Sequence, residues 1–302
     1  MKRAFTLLEL LVVIGIIGVL VASLVHFVTG GMEASRAAQC KANLKNLAEA
    51  VGNCMAADTD YHRYPLAGSL EHMNVGYIQS GSANNSKCYW EQSGWISWNS
   101  NGAYRNGPKN HMANMSWFTS CYEQDRETRH YCLTNGALWS AMSASSPSYV
   151  CPNHPRVMKE ANPAWSYVMN AYFGWDTTMG RGPRDFWGQT TNGLRADKRL
   201  LFAEIQWTDY TGDKPEANSS PGTKYDGVLQ YRGCGGNAEA EAIGFNHKTG
   251  RDVVAHVVYA DAHVDEIVWK DGQDLQELTK WLCEAKDVAY DAGAGKYEEV
   301  KK

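Results

Sequence analysis

An apolar stretch close to the N-terminus constrains this chain more than any other feature. Residues 10–28 read LLVVIGIIGVLVASLVHFV and contain no Asp, Glu, Lys or Arg. A helix over residues 5–28 is about 36 Å long, enough to cross a bilayer core of roughly 30 Å. Lys2 and Arg3 precede the stretch, so the leader is expected to stay in the cytoplasm while the rest is exported. A secretory signal peptide cut near Ala22 has a similar composition.

The carboxylate of Glu9 distinguishes a retained helix from a signal peptide. Such a group inside a spanning helix costs about 2.5–3.5 kcal/mol on insertion scales, and a signal peptide has no use for it. If the chain is cut after Ala4, the new amino group of Phe5 lies one helical turn from Glu9 and can pair with it. The Phe5 amine of a neighbouring subunit is the alternative partner. In that case assembly removes the uncompensated charge and sets the register between subunits.

The order of these residues resembles the class III signal of type IV pilins and type II secretion pseudopilins. That signal has a basic leader, a small residue, then Phe-Thr-Leu-x-Glu and an apolar helix, and residues 2–28 follow this order. The resemblance implies that a prepilin peptidase cuts between Ala4 and Phe5, that Phe5 is N-methylated, and that Glu9 drives assembly. Ala4 occupies the position where Gly is usual.

Scattered positions further along the chain resemble a large family of pilin-like proteins with a C-terminal His-x9-Asp-Gly element. The matching stretches are Cys40-x-x-Asn43-Leu44, Tyr64-Pro65, Gly136-Ala137-Leu138, Cys151-Pro152, Ser166-Tyr167-x-x-Asn170 and Ala260-Asp261-Ala262-His263-Val264. The C-terminal element is degenerate here, because His247 lies 14 positions before Asp261 and Ala262 replaces the Gly. Ala adopts a positive φ angle at a higher cost than Gly.

The sequence predicts an α+β fold in which a long N-terminal transmembrane helix packs on the antiparallel β-sheet of a pilin-like head. We divide the chain into a leader (1–4), a transmembrane helix (5–28), an amphipathic continuation of that helix (29–60) and an exported globular α+β head (61–302). Gly30-Gly31 predicts a flexible joint at the membrane surface. Apolar or small residues at steps of three and four form one stripe beyond it: Ala37, Cys40, Leu44, Leu47, Val51 and Cys54.

Short patterns predict the elements of the head. Apolar or alternating runs predict strands at 149–152, 166–170 and 200–205, and a hairpin of 253–259 with 263–269. Helical patterns are found at 136–139 and 275–289.

Eight cysteines indicate an oxidising compartment and disulfide bonds. Cys121 and Cys132 are a plausible local pair, whereas Cys40 and Cys54 are about 21 Å apart on a straight helix and cannot be joined. Cys151-Pro152-Asn153-His154 has the spacing of a metal-ligand pair, but a zinc site usually needs two such pairs. Disulfides are therefore the favoured interpretation.

The C-terminal hairpin carries the second group of polar residues with metal-ligand chemistry. His247 and His256 lie near it in the sequence, and Asp261, His263 and Asp265 are candidate ligands of a cation. The favoured alternative is that these are polar side chains on the exposed face of a hairpin. No nucleophile, phosphate-binding or dinucleotide-binding motif is recognisable, so we predict no catalytic residues, no enzyme activity and no cofactor.

These observations predict a structural subunit of a type IV pilus or a type II secretion pseudopilus. The predicted partners are prepilin peptidase, other pilin or pseudopilin subunits and the inner-membrane assembly machinery. The expected location is a single pass through the bacterial inner membrane with the head in the periplasm, followed by a filament in the periplasm or at the cell surface. The net charge of −4 argues against nucleic-acid binding.

The alternative from another class is a membrane-tethered extracellular binding protein, for example for glycans. It is motivated by a cluster of aromatic residues, because sugars stack on aromatic faces: Trp90, Trp95, Trp98, Tyr104 and Trp117.

Overall fold

The computed structural model describes residues 7–57, 64–65, 67, 94–96, 133–134, 136–154, 165–173, 195–205, 227–229, 231 and 241–301. Over these residues the chain forms a long N-terminal helix, a six-stranded sheet, a second helix and a two-stranded hairpin. The predicted α+β fold with a long N-terminal helix is confirmed.

Helix α1 runs from Leu7 to Ala57 and is about 77 Å long. The sequence predicts its continuation to residue 60, and the described part of the helix ends at Ala57. Gly30 and Gly31 both lie within the helix, so the structure has no break at the expected joint. Residues Leu7–Leu24 have a mean hydropathy of 2.8, and this segment is long and apolar enough to cross a membrane.

The second half of α1 packs on the sheet through the predicted stripe. The side chains of Cys40, Leu44, Leu47 and Val51 are fully buried, and the helix contacts strands of the sheet along this side. Burial of apolar side chains of this size stabilises the head by about 1.5–3 kcal/mol each. The stripe therefore joins the membrane helix to the head.

The sheet is arranged around one long strand. Its strands are β1 (Tyr167–Asn170), β2 (Leu200–Glu204), β3 (Val228–Leu229), β4 (His247–Thr249), β5 (Asp252–Tyr259) and β6 (Val264–Val268). Strand β5 pairs antiparallel with β2, β4 and β6, and β2 pairs antiparallel with β1. The β1–β3 pair is parallel, so the sheet is antiparallel except at that pair. Every residue of β1 and β2 is buried, as expected for strands covered on both faces.

The C-terminal part adds a helix and a hairpin. Helix α2 (Leu275–Cys283) begins at Asp274, whose side chain accepts a hydrogen bond from the Glu277 backbone N–H at 3.1 Å, as an N-cap does. Strands β7 (Val288–Asp291) and β8 (Lys296–Glu299) pair antiparallel after it.

Three element predictions are wrong in whole or in part, and two of the errors have a clear local cause. The predicted helix over 275–289 ends at Cys283, because Ala285 adopts φ 55° and the chain then enters β7. The predicted strand at 149–152 is preceded and partly replaced by a 3₁₀ helix, Ser146–Tyr149, with Pro147 in its first turn. Residues 137–144 form turns rather than a regular helix. The strands predicted near 166–170 and 200–205 and the 253–269 hairpin are confirmed.

The burial of the α1 stripe predicts a large loss of stability on truncation. Leu44→Ala should lower the free energy of unfolding of the head by about 2–5 kcal/mol, because it leaves a cavity between helix and sheet. The measurement is denaturant unfolding of the full chain in detergent, followed by tryptophan fluorescence. Asn46→Ala, on the exposed side of the same helix turn, is the control and should change the value by less than about 0.5 kcal/mol. Equal losses in both variants would contradict the packing.

The turn between β5 and β6 predicts a stabilising substitution. Ala262 has φ 68°, a conformation that costs a residue with a Cβ about 1–2 kcal/mol. Ala262→Gly should therefore raise the free energy of unfolding by about 0.5–1 kcal/mol after the entropy gained by the unfolded chain is subtracted. Ala42→Gly, at an exposed position within α1, should lower it by about 1 kcal/mol. A loss of stability in Ala262→Gly would show that the turn is not strained.

Candidate functional site

The first half of α1 presents a continuous apolar surface to its surroundings. All residues of 7–24 are exposed, and large side chains such as Leu7, Leu8 and Leu20 are 64–81% exposed. Apolar surface of this extent is stable in contact with lipid or with other apolar helices. Glu9 is the acidic residue of the first helical turn, where a carboxylate also interacts favourably with the helix dipole.

Polar contacts fix the second half of α1 on the head. The buried Asn43 side chain donates to the Val150 carbonyl at 3.0 Å, and Lys45 Nζ donates to the Ala262 carbonyl at 3.1 Å. Lys41 Nζ lies 2.6 Å from Glu266 Oε1 on β6. These bonds join the helix to the chain around Cys151 and to the β5–β6 hairpin. They fix the position of the helix along the sheet.

Other positions of the pilin-like resemblance form buried hydrogen bonds. Ser166 Oγ accepts from the Cys151 backbone N–H at 2.7 Å. Asn170 Nδ2 donates to the carbonyls of Leu200 at 2.9 Å and Cys283 at 3.1 Å. These residue types are therefore explained by the architecture of the head.

Beneath α1, four buried side chains from four different segments converge. They are Cys40 of α1, Cys151 after the 3₁₀ helix, Glu204 at the end of β2 and His247 at the start of β4. Their ligand atoms all lie within 4.8 Å of one another. His247 Nε2 is 3.1 Å from Cys151 Sγ and 3.3 Å from Glu204 Oε2. All four side chains are fully buried; we call them the buried cluster.

Further groups surround the buried cluster. The His256 ring lies against the His247 ring with centroids 4.1 Å apart. The Tyr167 hydroxyl donates to Cys40 Sγ at 3.4 Å, and the Asn153 backbone N–H donates to Cys151 Sγ at 3.3 Å. Both sulfur atoms thus accept a hydrogen bond, which suits thiolates.

The pKa shifts in the buried cluster favour the charged forms of Cys40, His247 and Glu204 in spite of burial. Burial acts to raise the pKa of the Cys40 thiol, but contacts with Cys151, His247 and His256 bring it down to about 5. Burial acts to lower the pKa of His247, but Cys40 and Glu204 raise it to about 10. Burial likewise acts to raise the pKa of Glu204, and the neighbouring His247 imidazole holds it below its ordinary value. The Cys151 thiol, by contrast, has its pKa raised by burial and by Cys40 and Glu204.

The hairpin residues predicted as candidate cation ligands lie on the surface. His263 Nδ1 is 2.5 Å from Asp261 Oδ1, and both side chains are exposed. The Asp265 carboxylate accepts from the Glu266 backbone N–H at 2.8 Å. Among the described residues, the buried cluster is the group of Cys, His and acidic side chains with the spacing of a metal site, and it does not include these three.

Several predicted residues lie outside the described part of the chain. They are the leader with Ala4 and Phe5, the proposed Cys121–Cys132 pair, and Trp90, Trp98, Tyr104 and Trp117 of the aromatic group. Trp95 of that group is fully buried, and its indole N–H donates to the Gly227 carbonyl at 2.9 Å. Trp95 is therefore a core residue and does not present a stacking face for a sugar. Cys40, Cys54, Cys151 and Cys283 are not in disulfides.

The sequence signals the buried cluster only indirectly. The sequence places Cys40 on the apolar stripe of α1, Cys151 in half of a metal-ligand pair and His247 near the C-terminal hairpin, and it gives Glu204 no role. Glu204 is nevertheless the one charged residue of the predicted strand LLFAEI. A carboxylate in a buried strand needs a partner, and that conflict is the signal that could have indicated a polar site.

Comparison with known proteins supports the interpretation of the N-terminus. The family model described as the prokaryotic N-terminal methylation motif matches residues 1–25. No curated protein and no solved structure matches the chain. The motif, together with the exposed apolar half of α1, indicates a membrane-anchored protein of the cell surface or periplasm. It also implies processing by prepilin peptidase and assembly with other pilin-type subunits in general. The chain thus carries the prokaryotic N-terminal methylation motif over residues 1–25, and this motif with the apolar helix is consistent with a type IV pilin-like protein.

Proposed function

We propose that this chain is a structural subunit of a type IV pilus or of a type II secretion pseudopilus. The observation that carries the proposal is the first half of α1, whose exposed apolar residues surround one acidic residue, Glu9. A bundle of such helices buries this surface when subunits leave the membrane. The head then remains outside the bundle, attached through the second half of the same helix.

In this proposal, processing supplies a cationic partner for Glu9 in the assembled filament. Cleavage after Ala4 creates the Phe5 amine, which is N-methylated and stays cationic. The amine of one subunit then pairs with Glu9 of its neighbour inside the apolar bundle. Removing one partner of a buried ion pair typically costs about 3–5 kcal/mol, so the pair selects one axial register.

The second candidate is a membrane-tethered binding protein that does not form filaments. It shares the membrane helix with the first candidate, so the apolar surface of α1 fits both. The two differ in what Glu9 does: assembly depends on its charge, whereas tethering does not. The burial of Trp95 removes one residue from the aromatic group that motivated glycan binding.

The first test is the chemistry of the mature N-terminus. Mass spectrometry of the protein from its native membrane should show a chain that begins at Phe5 and carries one additional methyl group. The physical reason is that a membrane-embedded peptidase cuts on the cytoplasmic side of the apolar helix and leaves the helix in place. A chain that begins near Ser23 would show that the helix is removed as a signal peptide, and would contradict both candidates.

The second test separates the two candidates by the charge at position 9. Glu9→Gln should lower incorporation into sheared filaments or pseudopili more than 100-fold, as expected for loss of about 3 kcal/mol or more per contact. The measurement is the ratio of filament-bound to membrane-bound subunit. Glu49→Gln is the matched control, because Glu49 is an exposed acid of the same helix on the head side. If Glu9→Gln enters filaments as the unaltered protein does, Glu9 has no part in assembly; if not even the unaltered protein enters filaments, the chain is a tethered protein.

A further inference from the structure

We propose that the buried cluster is a structural zinc site formed by Cys40 Sγ, Cys151 Sγ, His247 Nε2 and a carboxylate oxygen of Glu204. The proposal goes beyond filament assembly and does not depend on it. It would hold equally for a filament subunit and for a tethered binding protein.

The number and type of the ligands fit zinc. Structural zinc sites are tetrahedral with four ligands, taken from Cys thiolates, His imidazoles and acidic side chains. The buried cluster offers two sulfurs, one imidazole nitrogen and one carboxylate. Two soft sulfur ligands disfavour magnesium and calcium, which prefer oxygen ligands.

The distances fit as well. A tetrahedral ion with bond lengths of about 2.0–2.3 Å separates its ligand atoms by roughly 3.2–3.8 Å. In the structure, the two distances from His247 Nε2 to Cys151 Sγ and Glu204 Oε2 are 3.1 Å and 3.3 Å. All four ligand atoms lie within 4.8 Å of one another. Side-chain movements of up to about 1 Å would bring all four ligand atoms to tetrahedral separations around one ion.

The Glu204 carboxylate provides the independent observation. It is fully buried, and among the described residues neither of its oxygens receives a hydrogen bond of good geometry. A buried carboxylate is costly without strong partners, and the one facing Glu204 is His247 Nε2 at 3.3 Å; a metal ion bound between the two would give both groups a direct ligand bond. An ion at the centre of the buried cluster would take this carboxylate and His247 Nε2, which faces Cys151 Sγ and Glu204, as ligands at once.

A disulfide between Cys40 and Cys151 is the main rival, since the head is expected in an oxidising compartment. Such a bond would use two of the four side chains and leave the His247–Glu204 pair, 3.3 Å apart, buried beside it. The hydrogen bonds from Tyr167 and the Asn153 backbone to the two sulfurs also fit thiolates bound to a metal, whose outer partners are usually hydrogen-bond donors of this kind.

The position of the site gives it a structural role. Its ligands come from α1, from the segment after the 3₁₀ helix, and from strands β2 and β4. One ion therefore ties the helix to three parts of the head that are far apart in sequence. Since the ligands do not converge in the unfolded chain, zinc binding contributes to folding of the head.

The experiment uses the full chain in detergent, loaded with zinc under reducing conditions and passed through gel filtration. Elemental analysis should find one zinc per chain. The protein is then denatured with a chelator and an alkylating reagent, without reductant. Both Cys40 and Cys151 should be modified, which shows that they are not joined in a disulfide. Absence of bound zinc, or recovery of a Cys40–Cys151 disulfide from the native membrane protein, would overturn the proposal.

Variants locate the metal. Cys40→Ser and Glu204→Gln should each lower the zinc content or the affinity at least 10-fold. Cys54→Ser is the matched control, because Cys54 lies on the same helix and its thiol donates to the Ala137 carbonyl at 3.2 Å, a bond that a hydroxyl can replace. The cysteines at 88, 121, 132 and 234 remain in every variant, so zinc held by them alone would persist in Cys40→Ser and would count against the buried cluster.

A loss of zinc in the variants could also arise from loss of folding. Cobalt substitution of the unaltered chain tests the ligands without relying on those variants. Co²⁺ bound to the unaltered chain should show the visible bands of a tetrahedral ion together with a thiolate-to-cobalt charge-transfer band. Tyr167→Phe, which removes a hydrogen bond to Cys40 Sγ while keeping the ring, should keep this spectrum and weaken zinc binding about 10–100-fold. An octahedral cobalt spectrum without charge transfer would overturn the assignment.

Discussion

The contact between the second half of α1 and the sheet is the interaction on which the rest of the head depends. One side of the helix contributes Cys40, Leu44, Leu47 and Val51 to the core. The same side places Asn43 against the Val150 carbonyl and Cys40 against the buried cluster. The chain therefore uses a single helix as a core element, as the support of a polar site and as the stem that leads into the membrane.

The parts of the fold that follow from periodicity could be predicted from the sequence. The stripe of α1 and the β5–β6 hairpin have clear patterns of three-and-four and alternating spacing. The end of α2 could not be predicted in this way, because Leu278 and Leu282 continue a helical pattern towards residues that form β7. There the positive φ of Ala285 and the pairing of β7 with β8 outweigh the local preference.

The buried cluster was not predicted because its members are separated by up to about 200 positions in the chain. Cys40 and His247 become neighbours only when α1 lies on the strands that carry Glu204 and His247. Local spacing identified Cys151 and His154 as a ligand pair, whereas the structure groups Cys151 with residues from three other elements. The turn of the degenerate C-terminal element also differs from what its residue suggests. Ala262 adopts the positive φ for which Gly is usual.

The unbroken course of α1 through Gly30 and Gly31 has a geometric consequence for assembly. Cys40 follows Glu9 by 31 positions, about 8.6 turns of helix. The two Cα–Cβ directions therefore differ by about 220° around the axis, and Glu9 points away from the side on which the head is seated. As long as α1 is continuous, the side of the helix on which the head lies determines the side from which the helix of a neighbouring subunit must approach. Heads in any filament of this chain would then be displayed on the side of the stem opposite that contact.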